Sequence, residues 1–108
     1  MPTIPSVARI WRARTRRDVA DEYEPYLSKG GIPPLKETAL GFQLFREDRE
    51  KETWFTFVSY WADMEAMSDF TKGEPTKVHL LPRDDEYLIE KPDRVEICLI
   101  LVDEQGLR

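Results

Sequence analysis

An α+β fold of the ferredoxin-like kind, with elements ordered β-α-β-β-α-β, is predicted by three observations on this 108-residue chain. Trp54-Phe55-Thr56-Phe57-Val58-Ser59-Tyr60-Trp61 is rich in aromatic and β-branched residues and reads as a strand. Ala62-Asp63-Met64-Glu65-Ala66-Met67 follows at once and reads as the start of a helix. The charged stretch Arg46 to Glu52 precedes the aromatic strand and marks a turn, so Thr38–Glu47 and the aromatic strand form an antiparallel hairpin.

The remaining elements follow in order. Val7 to Ala13 is the first strand, with Val7, Arg9, Trp11 and Ala13 on one face and Ala8, Ile10 and Arg12 on the other. Thr15, with Asp18 three residues on, is the expected N-cap of a first helix in which Val19, Ala20, Tyr23 and Leu27 recur at helical spacing. That helix should end near Gly30-Gly31, with a kink or break at Pro25 and a Pro33-Pro34 loop after it. Asp63 is the expected N-cap of the second helix, which Gly73 and Pro75 close. Residues 76–92 carry mixed signals, combining a possible helix extension at Val78 to Leu81 with a turn and short extended piece at Asp84 to Ile89. Arg94 to Val102 is a last strand, apolar on both faces and therefore expected inside the sheet or its dimer.

Size and charge narrow the function classes. At 41% hydrophobic the chain can build one modest core, so residues 1–108 are expected to form a single domain. Sixteen Lys and Arg against 21 Asp and Glu, net −5, argue against nucleic-acid binding and against a polybasic membrane anchor. Without a long apolar stretch or an apolar leader, a cytoplasmic protein is expected. Cys98, alone in the chain, is expected to be a small buried packing residue, and no metal or cofactor is expected. Helices cover one face of a four-stranded sheet. The other, carrying Trp54, Thr56, Val58 and Tyr60, would expose more apolar surface than a monomer usually shows, so the predicted partner is a second copy.

Ala8-Arg9-Ile10-Trp11-Arg12-Ala13-Arg14-Thr15, Ala20-Asp21-Glu22-Tyr23, Ser59-Tyr60-Trp61-Ala62-Asp63-Met64-Glu65-Ala66 and Leu81-Pro82-Arg83-Asp84-Asp85-Glu86-Tyr87-Leu88 resemble, in that order, the antibiotic biosynthesis monooxygenase-like branch of the dimeric α/β-barrel superfamily. The resemblance covers about nine tenths of the chain. It implies a homodimer whose two sheets close into an α/β barrel, with a pocket in each subunit between the sheet and its own helices. Enzymes of that superfamily oxidise polycyclic aromatic substrates without a cofactor, or bind and degrade haem. They use a Trp at the end of the third strand, an Asn nearby and, in the haem-degrading members, a His on the second helix. Trp61 stands at the matching place. The chain contains no Asn, and its sole histidine, His79, falls eighteen residues after Trp61, which speaks against haem degradation.

On the face of Trp61 the period of two also places Ser59, Phe57 and Phe55, a ring-lined strand suited to an aromatic ligand or, equally, to ordinary helix-on-sheet core. Tyr23 and Tyr26 on the first helix are candidates to close such a pocket with their hydroxyls. His79, which titrates near neutrality, is the candidate catalytic base. The basic run Arg9, Arg12, Arg14, Arg16 and Arg17 reads as a solvated strand face paired with carboxylates, Asp84-Asp85-Glu86 among them. The expected function is binding of an apolar or aromatic small molecule between sheet and helices by a homodimer, with cofactor-independent oxygenation as the chemistry the resemblance implies. A non-catalytic dimeric module, and a proton-transfer isomerase or cyclase on the same scaffold, are the alternatives.

Overall fold

Strand β1 (Val7–Arg16) forms the spine of the molecule, because every other strand but one pairs with it. The structure is a computed structural model and describes residues 5–102, apart from 75, 77 and 79 and the side chain of 69. A single turn of tighter helix over Arg17–Val19 leads into α1 (Ala20–Thr38), which is followed by β2 (Gly41–Asp48), β3 (Glu52–Trp61) and α2 (Met64–Thr71). A short α3 (Asp84–Tyr87), β4 (Leu88–Glu90) and β5 (Glu96–Leu99) complete the order. The sheet runs β2-β3-β1, and both β4 and β5 pair with the far edge of β1. All pairings are antiparallel: Val7 faces Trp61 and Arg16 faces Glu52 across β1 and β3, and Gly41 faces Tyr60 across the predicted hairpin. The hairpin closes at Arg49, whose N–H donates to the Glu52 carbonyl at 2.8 Å.

The helices lie on one side of this sheet. Strict alternation along β3 buries Thr53, Phe55, Phe57, Ser59 and Trp61 and leaves Glu52, Trp54, Thr56, Val58 and Tyr60 half-buried on the other side. The buried set faces Tyr23, Leu27 and Leu35 of α1 and Met67 of α2. Fully burying each such side chain stabilises the fold by roughly 1.5–3 kcal/mol.

Four expectations are corrected. Thr15 is not a helix cap but a buried residue of β1, its hydroxyl donating to the Arg16 carbonyl at 2.9 Å, and α1 begins at Ala20 after Val19 without a side-chain cap. The helix does not stop at Gly30-Gly31 but runs through Pro33-Pro34 to Thr38. Its buried stripe of Ala20, Tyr23 and Leu27 continues to Leu35, and Pro25, Pro33 and Pro34 all sit on exposed positions, where water can satisfy the carbonyls their missing N–H groups leave without an intrahelical donor. The last strand is split and lies at the edge of the sheet. Only Glu96–Leu99 pairs with Val7–Ile10, while the ambiguous stretch supplies β4 opposite Arg14 and Thr15. Cys98 is exposed for the same reason, since β5 has a strand on one side alone among the described residues.

Candidate functional site

The inward faces of β1 and β3 meet α1 along a ring-rich seam that is not filled everywhere. Trp61, at the end of β3, is 1% exposed, stacks at 5.3 Å between centroids on Phe70 of α2, and donates its indole N–H to the Ser59 hydroxyl at 3.0 Å. Phe55 is fully buried and meets the Tyr23 ring edge-on at 5.3 Å. Tyr23, also fully buried, donates its hydroxyl to Asp84 at 2.9 Å. Burial first, and then the neighbouring Asp84, push the Tyr23 hydroxyl far above the ordinary tyrosine range, so it stays protonated at any physiological pH. Tyr26 is half-buried over Tyr87, and its hydroxyl accepts the Arg83 N–H at 2.7 Å.

Beside this packed cluster lies a cavity of about 260 Å³ between sheet and helices. Trp11, Phe57 and Phe70 give it aromatic walls, Leu27, Leu35 and Leu81 aliphatic ones, and Arg9, Ser59 and Asp84 its polar groups. The exposed Gly30, Pro34 and Leu80 complete the wall, so the cavity reaches the surface between α1 and the segment before α3. Two glycines set its shape. A Cβ on Gly31 would stand 2.9 Å from the ring of Phe57, so helix and ring approach this closely because that position lacks a side chain, and one on Gly30 would stand 2.8 Å from the terminal methyls of Leu81, which would have to turn aside.

Of the residues proposed from sequence, Phe57 and Ser59 line the cavity. Trp61, Phe55 and Tyr23 pack in the adjoining core, Tyr26 lies at its outer edge, and His79 falls outside the described residues. The other wall residues were missed, Trp11, Arg9 and Asp84 among them. Trp11 and Arg9 were legible in the alternation of β1, which puts both on one face. The expectation of a solvated basic run holds for Arg14, paired with Glu52 at 2.8 Å, for Arg16 with Asp18 at 3.1 Å and for Arg17 with Asp48 at 3.6 Å, but not for Arg9, which is only 5% exposed. Asp84 was read as one of three solvated carboxylates. It is 1% exposed, its two oxygens accepting from the Tyr23 hydroxyl and, at 2.8 Å, from the Leu81 N–H, while Asp85 pairs with Lys91 and Glu86 with Arg83. No signal in the sequence separates Asp84 from its neighbours. Among the described residues no group of three His, Cys, Asp or Glu side chains could hold a metal ion, and no helix is long and apolar enough to cross a membrane.

With its helices on one side of a β2-β3-β1-β5 antiparallel sheet, the chain has the ferredoxin-like α+β fold of the antibiotic biosynthesis monooxygenase-like proteins. The crystal structure of a Bacillus cereus protein provisionally described as an antibiotic biosynthesis monooxygenase superposes with a TM-score of 0.64, covering 95% of this chain and all of that one at 12% sequence identity. No protein-family model matches the chain, and no curated protein does.

Proposed function

We propose that this protein binds an aromatic small molecule in the cavity between its sheet and helices, and that it does so as a homodimer. The cavity itself carries the reading. A space of about 260 Å³ walled by three aromatic rings is kept open in a chain that packs Trp61 and Phe55 tightly a few residues away. Apolar cavities of roughly 150 Å³ hold benzene, so this one suits a ligand of one to three fused rings. Phe57 and Trp11 would flank the rings, Ser59 would offer a hydroxyl, and Trp61 and Tyr23 would hold the walls in place.

Oxygenation is the chemistry proposed for this site, by likeness of fold to the Bacillus cereus protein, and the sequence resemblance implies that it proceeds without a cofactor. A base takes the proton from an activated ring methylene or enol, the carbanion adds dioxygen, and the hydroperoxide loses water, so that CH2 and O2 become C=O and H2O. The protonated Tyr23 cannot be that base at neutral pH; His79 is the candidate for it. Calorimetric titration with naphthalenes, hydroxyanthracenes and quinols, followed by oxygen-electrode assays of those that bind, tests both levels. Saturable one-to-one binding with oxygen uptake is expected, and absence of binding by every aromatic probe would overturn the cavity reading.

A further inference from the structure

We infer that Leu81 limits the length of the ring system this cavity takes, standing where a third fused ring would have to pass between α1 and the turn before α3. The inference rests on the cavity being a ligand site and adds the residue that sets its size selectivity. Leu81 is half-buried, belongs to the cavity wall and lies beside the opening that Gly30, Pro34 and Leu80 frame. Its two terminal methyls reach across to α1, 2.8 Å from where a Cβ of Gly30 would stand. The side chain therefore bridges the turn and the helix at the mouth of the cavity.

The backbone beneath that side chain is fixed. The Leu81 N–H donates to the Asp84 carboxylate at 2.8 Å and the Leu81 carbonyl accepts the Asp84 N–H at 3.0 Å, so residues 81–84 close on themselves as a turn. Two hydroxyls of α1 tie the turn down, Tyr23 donating to Asp84 at 2.9 Å and Tyr26 accepting the Arg83 N–H at 2.7 Å. The helix on the other bank is held as well, because Leu27 and Leu35, on either side of Gly30-Gly31, are buried in the core. With both banks held, the free width of the mouth depends on the Leu81 side chain, the movable group between them. Since roughly 150 Å³ holds benzene, a cavity of about 260 Å³ takes roughly two fused rings before it meets this side chain, and a third in line must displace its methyls.

Titration of the whole chain with 2-naphthol and with 2-hydroxyanthracene, followed by ligand fluorescence, compares probes that differ by one ring. The wild type is expected to bind the three-ring phenol no more tightly than the two-ring one, although its apolar surface is larger. L81A is expected to move the ratio of the two affinities at least about tenfold toward the three-ring phenol, the scale that burial of about two methylene-sized groups supplies. L81V, which removes less, serves where L81A fails to fold and is expected to move the ratio at least about twofold. A wild type that prefers the three-ring phenol, or a folded variant that falls short of its shift because both affinities change together, would overturn the inference while leaving the cavity reading intact. Binding of neither phenol by the wild type would overturn both.

Discussion

Tyr23 shows how one side chain ties the sheet, α1 and the segment after α2 together. Its ring packs on Phe55 and Tyr87, and its hydroxyl satisfies an oxygen of a fully buried Asp84. Tyr23→Phe keeps the ring and removes the donor, leaving that oxygen short of a partner, so a loss of about 1–3 kcal/mol in urea unfolding is expected. The same hydroxyl predicts a pH effect with a definite sign. Its pKa is raised in the folded chain, while an unfolded tyrosine ionises near 10. The contribution is therefore fully present below about pH 10 and is lost as pH rises beyond it, because the unfolded state then binds fewer protons than the folded one. The urea midpoint of the wild type should fall between pH 9.5 and 11.5 more steeply than that of Tyr23→Phe, and equal slopes would refute the assignment.

At the scale of elements, the signals that proved legible are those whose physics is local. Asp63 caps α2 as its sequence predicts, accepting the Ala66 N–H at 2.8 Å, and the helix ends with Lys72 and Gly73 both at positive φ. Asp63→Ala should cost about 1 kcal/mol, read as a lowered urea midpoint with an unchanged slope. The β2–β3 hairpin was equally readable, since a charged turn between two strands leaves few registers. The length of α1 was not, because glycine and proline usually end helices. Here Gly30 and Gly31 instead admit Leu81 and Phe57, and the burial of Leu35 one turn further on holds the helix together.

At the scale of the molecule, the sheet face opposite the helices is the surface on which the proposed homodimer is tested. Phe45 on that side is 50% exposed. Trp54 is partly sheltered by the guanidinium groups of Arg12, Arg14 and Arg49 at 4.9 to 5.5 Å from its ring, and Tyr60 donates its hydroxyl to Gln43 at 2.7 Å. The face is therefore amphipathic rather than purely apolar, which suits a homodimer that buries it. Val58 lies between Ile10 and Gln43 near its middle. The wild type is expected to sediment as a dimer at micromolar concentration and Val58→Asp as a folded monomer, since a second copy would have to desolvate two carboxylates. A wild type that sediments at 12.7 kDa would remove the homodimer from the proposed function.

What the chain's own pattern determined is the class of fold, the order of its elements, the hairpin, the cap of α2 and the face on which each β3 residue lies, because periodicity, capping and turn chemistry act over a few residues. Tertiary structure decided the rest. Which of five arginines and which of three adjacent carboxylates leave water, how far α1 runs through its prolines, and where the packing of rings stops short to leave a cavity all depend on contacts between residues distant in sequence. Arg9 and Asp84 make the point, since each belongs to a run of like charge whose other members keep contact with solvent, and only the folded wall distinguishes them.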